Sequence, residues 1–132
     1  MVRKRLMAVL LLPLLLPLLA CPKFVASSVD TLAAAQGFIA QAQLNHQTEC
    51  KADPTKNFPC QMINQAVDAQ NTAVDALEAY CQLPVRPDPI ALKAQGGTTC
   101  NENPSAKQVL VSALANLGTV LANYKAQSGG KP

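Results

Sequence analysis

The sequence has few of the residues on which enzymes and cofactor sites most often depend. Its 132 residues include no tryptophan, one histidine, five aromatic side chains and six glycines, and only 14% of them are charged. It contains no glycine-rich phosphate loop, no Gly-x-Ser-x-Gly nucleophile motif and no His-Glu-x-x-His zinc motif. We therefore predict that the protein is not an enzyme and carries no cofactor.

The cysteines are too far apart for the usual metal and redox sites. There are five of them and no Cys-x-x-Cys pair, whereas structural zinc sites and thioredoxin-like sites usually need closely spaced ligands or thiols. His46 lies near Glu49 and Cys50 but has no evident second ligand. We predict no metal site and interpret His46 as a packed or capping residue.

The N-terminal segment has the three parts of a secretory signal peptide. A positive start, Arg3-Lys4-Arg5, precedes an apolar run from Leu6 to Leu19 and a small residue, Ala20. A helix of this length reaches about 22 Å, which is less than the ~30 Å hydrocarbon core of a bilayer. Residues 1–20 are therefore predicted to be a signal peptide that is removed.

The end of this leader, Leu18-Leu19-Ala20-Cys21, resembles the lipobox of bacterial lipoproteins. That motif reads Leu, a small or aliphatic residue, Ala or Gly, and then Cys, and the resemblance covers only the first 21 residues. It implies a diacylglyceryl group on the Cys21 thiol, cleavage before Cys21, and acylation of the new amine by a fatty acid such as palmitate. The membrane, bound through this lipid, is then the implied partner.

The resemblance also implies a place in the cell. The mature protein would belong to the bacterial cell envelope and face the periplasm or the exterior. Pro22 follows Cys21 in place of the Asp best known for inner-membrane retention, which favours the outer membrane. The alternatives are a plain signal peptide cut near Ala20 or Ala26, which would leave Cys21 as a thiol, and an uncleaved anchor.

The number of cysteines favours lipidation over these alternatives. Removing Cys21 from the five leaves an even set, as expected for a protein with disulfides in an oxidising compartment; these are Cys50, Cys60, Cys81 and Cys100.

Removal of the leader also changes the net charge. Three of the eleven basic residues lie in the leader, so the remaining 112 residues carry eight basic and eight acidic side chains. A neutral domain lacks the basic surface that nucleic acid binding requires.

Three segments have the apolar periodicity of amphipathic helices. The clearest has an apolar seam with alternating spacings of three and four, formed by Cys60, Ile63, Val67, Gln70, Val74, Leu77 and Cys81. We predict helices at about 28–48, 60–82 and 104–126, with a short helical turn near 89–95. The fold class is all-α, as a small antiparallel three-helix bundle.

The leader and the helical periodicity together divide the chain into regions. The predicted signal peptide is followed by a lipid-anchored tether at 21–27, the helical domain at 28–127 and a flexible tail at 128–132. The domain is one unit, because 112 residues lie in the usual range for a single domain.

Helix geometry selects among the three possible disulfide pairings. Cys60 and Cys81 lie at opposite ends of one predicted helix, about 31 Å apart, and a disulfide requires Cα atoms within about 7 Å. In an antiparallel arrangement Cys50 lies beside Cys60, and Cys81 beside Cys100. We predict the disulfides Cys50–Cys60 and Cys81–Cys100.

Two functional hypotheses remain from the sequence, with an envelope enzyme as a weaker third. The first is a lipid-anchored, non-enzymatic helical module that binds an envelope protein or a cell-wall component, or has a structural role. The second is a carrier of a small apolar ligand in an alanine-lined core, which requires a pocket of a few hundred Å³. Gln70 lies on the apolar seam, where it either sets the register of the helices or faces a partner.

Overall fold

The computed structural model describes residues 21–132, with side chains from Lys23 onward. This part of the chain is helical and contains no strand. Its five α-helices are α1 (Cys21–Asn45), α2 (Gln47–Ala52), α3 (Met62–Cys81), α4 (Pro89–Ala94) and α5 (Lys107–Ser128). The predicted leader and the lipobox residues Leu18, Leu19 and Ala20 lie outside the described residues. None of the described helices is long and apolar enough to cross a membrane.

The first helix reaches seven residues further towards the N-terminus than predicted. α1 includes Cys21, the first described residue, so the segment expected to be a tether, 21–27, is helical. Val25 and Val29 continue the apolar stripe of Leu32 towards the N-terminus, and all three are buried. Ser28 is a residue type that often caps helices, but here its hydroxyl donates to the carbonyl oxygen of Phe24 inside the helix.

The first predicted helix, 28–48, is divided between two helices, and the first of them ends earlier than expected. α1 stops at Asn45, and α2 starts after His46, whose backbone is not helical (φ −112°, ψ 13°). A turn of π-helix, Asn57–Gln61, then leads into α3.

The remaining predicted helices lie close to their expected positions. Asp88 accepts hydrogen bonds from the backbone of Ile90 and Ala91, so it caps α4 as Asp and Asn residues commonly do. Asn103 accepts from the backbone of Ser105, and a single 3₁₀ turn, Pro104–Ala106, precedes α5. Gly129, at φ 68°, ends α5 in the left-handed conformation that glycine adopts without steric cost.

The three long helices share one core. α3 packs against both α1 and α5, while α4 packs against α1. Small side chains on α3 allow this close approach, and those that are buried include Ala66, Ala69, Ala73 and Ala76. Aromatic residues lie at the two ends of the core: Phe24 contacts Tyr80 at one end, and Phe38 contacts Tyr124 at the other.

Both predicted disulfides are present. Cys50 and Cys60 have Cα atoms 5.3 Å apart, and Cys81 and Cys100 have Cα atoms 4.4 Å apart. The first joins α2 to the turn before α3. The second joins the end of α3 to the segment that leads into α5. Each disulfide therefore holds one connection between long helices.

Candidate functional site

His46 belongs to a small group of charged side chains between α1 and α3. Its Nδ1 lies 3.1 Å from Oε2 of Glu49, and Oε1 of the same carboxylate accepts a hydrogen bond of 2.8 Å from Nζ of Lys56. The hydrogen bond from Lys56 is the main cause that lowers the pKa of Glu49, followed by the one from His46. The same contact raises the pKa of Lys56.

Aromatic rings link this group to the core. The His46 ring lies 6.4 Å from that of Phe58, which lies 5.4 Å from that of Tyr124. The Tyr124 hydroxyl is buried and has no hydrogen-bond partner within residues 21–132. Burial raises the pKa of Tyr124, with a smaller contribution from the charge of Glu49. The arrangement supports a structural role for His46, because its ring packs against Phe58 and contacts the Glu49 carboxylate.

The described residues contain no cluster of three or more metal-ligand side chains. His46 contacts one carboxylate, and the nearby Cys50 is bonded to Cys60. A tetrahedral zinc site needs about four such ligands.

Gln70, the polar residue on the apolar seam of the predicted second helix, is buried and joins α3 to α1. It is 7% exposed, and its Nε2 donates a 3.0 Å hydrogen bond to the carbonyl oxygen of Leu32. Its Oε1 is buried without a hydrogen-bond partner among the described residues, and so is Oε1 of Gln36 on α1. Two acceptors are thus left unpaired at one helix–helix contact.

These glutamines line a surface groove between α1 and α3, which we call the amide groove. It consists of two adjoining depressions of about 230 and 240 Å³, both lined by Gln36, Gln70 and Asn71. The segment Arg86–Pro89 forms one side of the first depression. Arg86 is held there by an ion pair with Asp75 and a hydrogen bond to Asn71.

The amide oxygens of the groove are suited to a partner that donates hydrogen bonds. An amide oxygen accepts hydrogen bonds, and a buried acceptor without a partner costs roughly 1–3 kcal/mol. Both oxygens are buried in this conformation, so a partner that carries N–H or O–H groups relieves this cost when the glutamine side chains turn into the groove. Sequence reasoning did not identify Gln36. The signal is its position four residues after Leu32, on the face of α1 that Gln70 approaches.

The apolar core between α1 and α5 is closely packed. The space among Phe38, Ile39, Ala42, Ile63, Ala66, Leu121 and Tyr124 amounts to about 170 Å³ and nowhere admits a water molecule. A carrier of an apolar ligand requires a wider cavity than this.

A third candidate surface lies at the N-terminal end of α1. Residues 96–102 pass beside its first turns and form a cleft of about 300 Å³ with Val25 and Ala26. The ammonium group of Lys107 lies 5.2 Å from the centre of the Phe24 ring. Cys21 is the first residue of α1; its side chain is not among those described, and its lipidation stays a prediction.

Known proteins provide no further assignment for these surfaces. The chain matches no protein-family model, no curated protein and no solved structure.

Proposed function

We propose that this protein is a lipoprotein of the bacterial cell envelope, anchored through lipid on Cys21. The observation that carries the proposal is the use of the cysteines. The two disulfides take up four of the five. The fifth is Cys21, which directly follows a leader with the charge and apolar pattern of a signal peptide. It is also the last residue of the sequence that resembles a lipobox.

The proposed architecture of the anchored domain is an antiparallel three-helix bundle of α1, α3 and α5. The disulfides support it, because each brings the end of one helical region next to the start of the next. The shared core supports it as well, since α3 contacts both other long helices. In this arrangement α2 and α4 are short additions to the connections between the long helices.

The proposed role of the domain is binding without catalysis, with the amide groove as the contact surface. Its support is the pair of unpaired amide oxygens of Gln36 and Gln70, which are suited to a partner with hydrogen-bond donors. An envelope protein or a cell-wall component provides such donors. The alternative, a carrier of an apolar ligand, is less well supported because the core between α1 and α5 has no space for one.

One experiment in cells tests both parts of this proposal. The wild-type chain and the Cys21→Ala variant are expressed with a photo-crosslinking amino acid at Asn71, which lines both depressions of the groove. Intact-mass analysis should show an acylated chain that begins at residue 21 for the wild type only. Ultraviolet light should then attach one recurring envelope component to the anchored protein.

The matched control carries the crosslinking amino acid at Asn116, an exposed position on α5. We expect the Asn116 variant to be acylated equally and to capture no recurring component. An unmodified Cys21 in the wild type contradicts the anchor. Equal capture from the two positions contradicts the assignment of the amide groove.

A further inference from the structure

We infer that lipid on Cys21 holds the domain directly against the bilayer, with one defined end facing the lipid headgroups. This inference rests on the proposed lipidation of Cys21. The surface concerned, which we call the anchor end, consists of the first turn of α1 and residues 96–102. The occupant of this surface is the lipid bilayer that receives the acyl chains.

The chain leaves no room for a flexible tether after Cys21. α1 already includes Cys21, the first described residue, and a core contact comes three residues later, where the rings of Phe24 and Tyr80 pack at right angles with their centroids 5.6 Å apart. Val25 is 6% exposed and Ser28 is 2% exposed. A flexible linker of n residues spans about 5–6 Å × √n, so three residues keep the folded domain within about 10 Å of the lipid.

The proposed cleavage makes Cys21 the first residue of the helix, and such a start is compatible with a lipid-modified N-terminus. The first four backbone N–H groups of a helix have no intrahelical partner, and proline is well tolerated there because it lacks an N–H; Pro22 occupies the second position of α1. A free α-amino group at this end is opposed by the helix dipole. Acylation removes that charge, so the modification stabilises the helix that holds the domain to the lipid.

The rest of the anchor end is suited to contact with headgroups. Residues 96–102 lie beside Val25 and Ala26, and the Cys81–Cys100 disulfide ties them to the end of α3. Within the anchor end, residues 96–101 have no charged side chain, and the charged residues are Lys23 and Glu102, which are of opposite sign. The uncharged part can approach the headgroups without the cost of removing water from a charge.

The opposite end of the molecule points away from the bilayer. Residue 45 lies about 36 Å along α1 from residue 21, and the group formed by His46, Glu49 and Lys56 follows it. The amide groove lies between the two ends, with Gln36 about 22 Å along α1 from Cys21. A rigid connection thus presents this groove at a fixed height above the membrane.

The protein contains no tryptophan, so one introduced tryptophan reports its own position without background. We propose the variants Thr99→Trp, within the anchor end, and Thr48→Trp, at the start of α2; both threonines are exposed. Each acylated protein is reconstituted into phosphatidylcholine vesicles with or without bromine on the upper acyl chains. We expect bromine to quench the T99W fluorescence severalfold and to leave T48W unchanged. Equal quenching of the two variants overturns the inference.

A second variant separates a rigid connection from lipid affinity of the surface itself. Twelve Gly/Ser residues inserted between Pro22 and Lys23 add a flexible span of about 19 Å. This insertion should abolish most of the T99W quenching while the protein still floats with the vesicles. Undiminished quenching overturns the rigid connection.

The outcomes also distinguish this inference from the proposed function. A chain whose mass shows no acyl group on Cys21 overturns both. An acylated, vesicle-bound T99W variant that bromine does not quench overturns the fixed orientation alone. Circular dichroism of both tryptophan variants verifies that the helices are retained.

Discussion

At the scale of single residues, Gln70 has the most informative environment. Its amide group donates to the Leu32 carbonyl oxygen across the α1–α3 contact, while its oxygen is buried without a partner in the described chain. A hydrogen bond contributes about 0.5–1.5 kcal/mol net, and an unpaired buried acceptor costs about as much or more. Gln70 therefore contributes little to overall stability, and its role is to define how α3 sits on α1.

Replacing Gln70 with Glu provides a test of that environment. At neutral pH a carboxylate would face the Leu32 carbonyl oxygen, so we expect the free energy of unfolding to fall by about 2–3 kcal/mol. Burial raises the pKa of the introduced carboxyl above its unfolded value. The protonated acid donates to Leu32, so the lost stability should return as the pH falls through the raised folded pKa and should be nearly complete at about pH 4, close to the unfolded carboxyl pKa.

Urea denaturation of the Q70E variant and the wild type, each at about pH 7 and about pH 4, measures this effect. The Gln70→Leu variant has a side chain that does not ionise, so its difference from the wild type should not depend on pH. A Q70E deficit that is equal at the two pH values would contradict the buried contact with Leu32.

At the scale of structural elements, the connection from α1 to α3 depends on local side-chain contacts. Glu49 on α2 accepts from Lys56 in the following segment, and its other oxygen contacts His46 at the junction with α1. The Cys50–Cys60 disulfide closes the same connection. These contacts hold a stretch that has no extended apolar face of its own.

The contribution of Glu49 should depend on pH. Its pKa is lowered in the folded protein by Lys56 and then by His46, so the stabilisation is present above the unfolded carboxyl pKa of about 4.3 and is lost as the pH falls through the folded value. The Glu49→Gln variant should melt below the wild type at about pH 7 and together with it at about pH 2. Because the side chain is partly exposed, the difference should be small.

Thermal melts followed by circular dichroism measure this difference. Glu102→Gln is the matched control, because Glu102 takes part in none of the ion pairs described for residues 21–132. A difference between the E49Q variant and the wild type that persists unchanged in acid would contradict the ion pair as its source.

Helix positions were predicted correctly where an apolar stripe or a capping residue marked them. The seam of α3 is an example of the first, and Asp88 before α4 is an example of the second. The start of α1 was missed because Ser27 and Ser28 are typical caps, whereas the continuing stripe through Val25 carries the helix further back. The break at His46 was missed because it reflects the backbone turn into α2 and is not visible as a change in periodicity.

At the scale of the whole molecule, helix length was sufficient to predict the disulfides. Cys60 and Cys81 stand at the two ends of the region that contains α3, so each could reach only a cysteine in a neighbouring connection. The amide groove could not be predicted in the same way. It depends on how α1 and α3 pack and on where the segment around Arg86 lies, and neither follows from the periodicity of one helix.

The two disulfides should account for much of the stability of this small, alanine-rich domain. The pairs are separated by 10 and 19 residues, and the chain-entropy relation assigns each about 3 kcal/mol, against about 5–15 kcal/mol for a typical folded domain. The C50A/C60A and C81A/C100A double variants should therefore each unfold at lower urea concentration. The second should lose slightly more, because its loop is longer and Cys81 is fully buried. The Cys21→Ala variant leaves both disulfides intact and should lose much less stability than either double variant. If either double variant also unfolds like the wild type, that disulfide does not stabilise the domain.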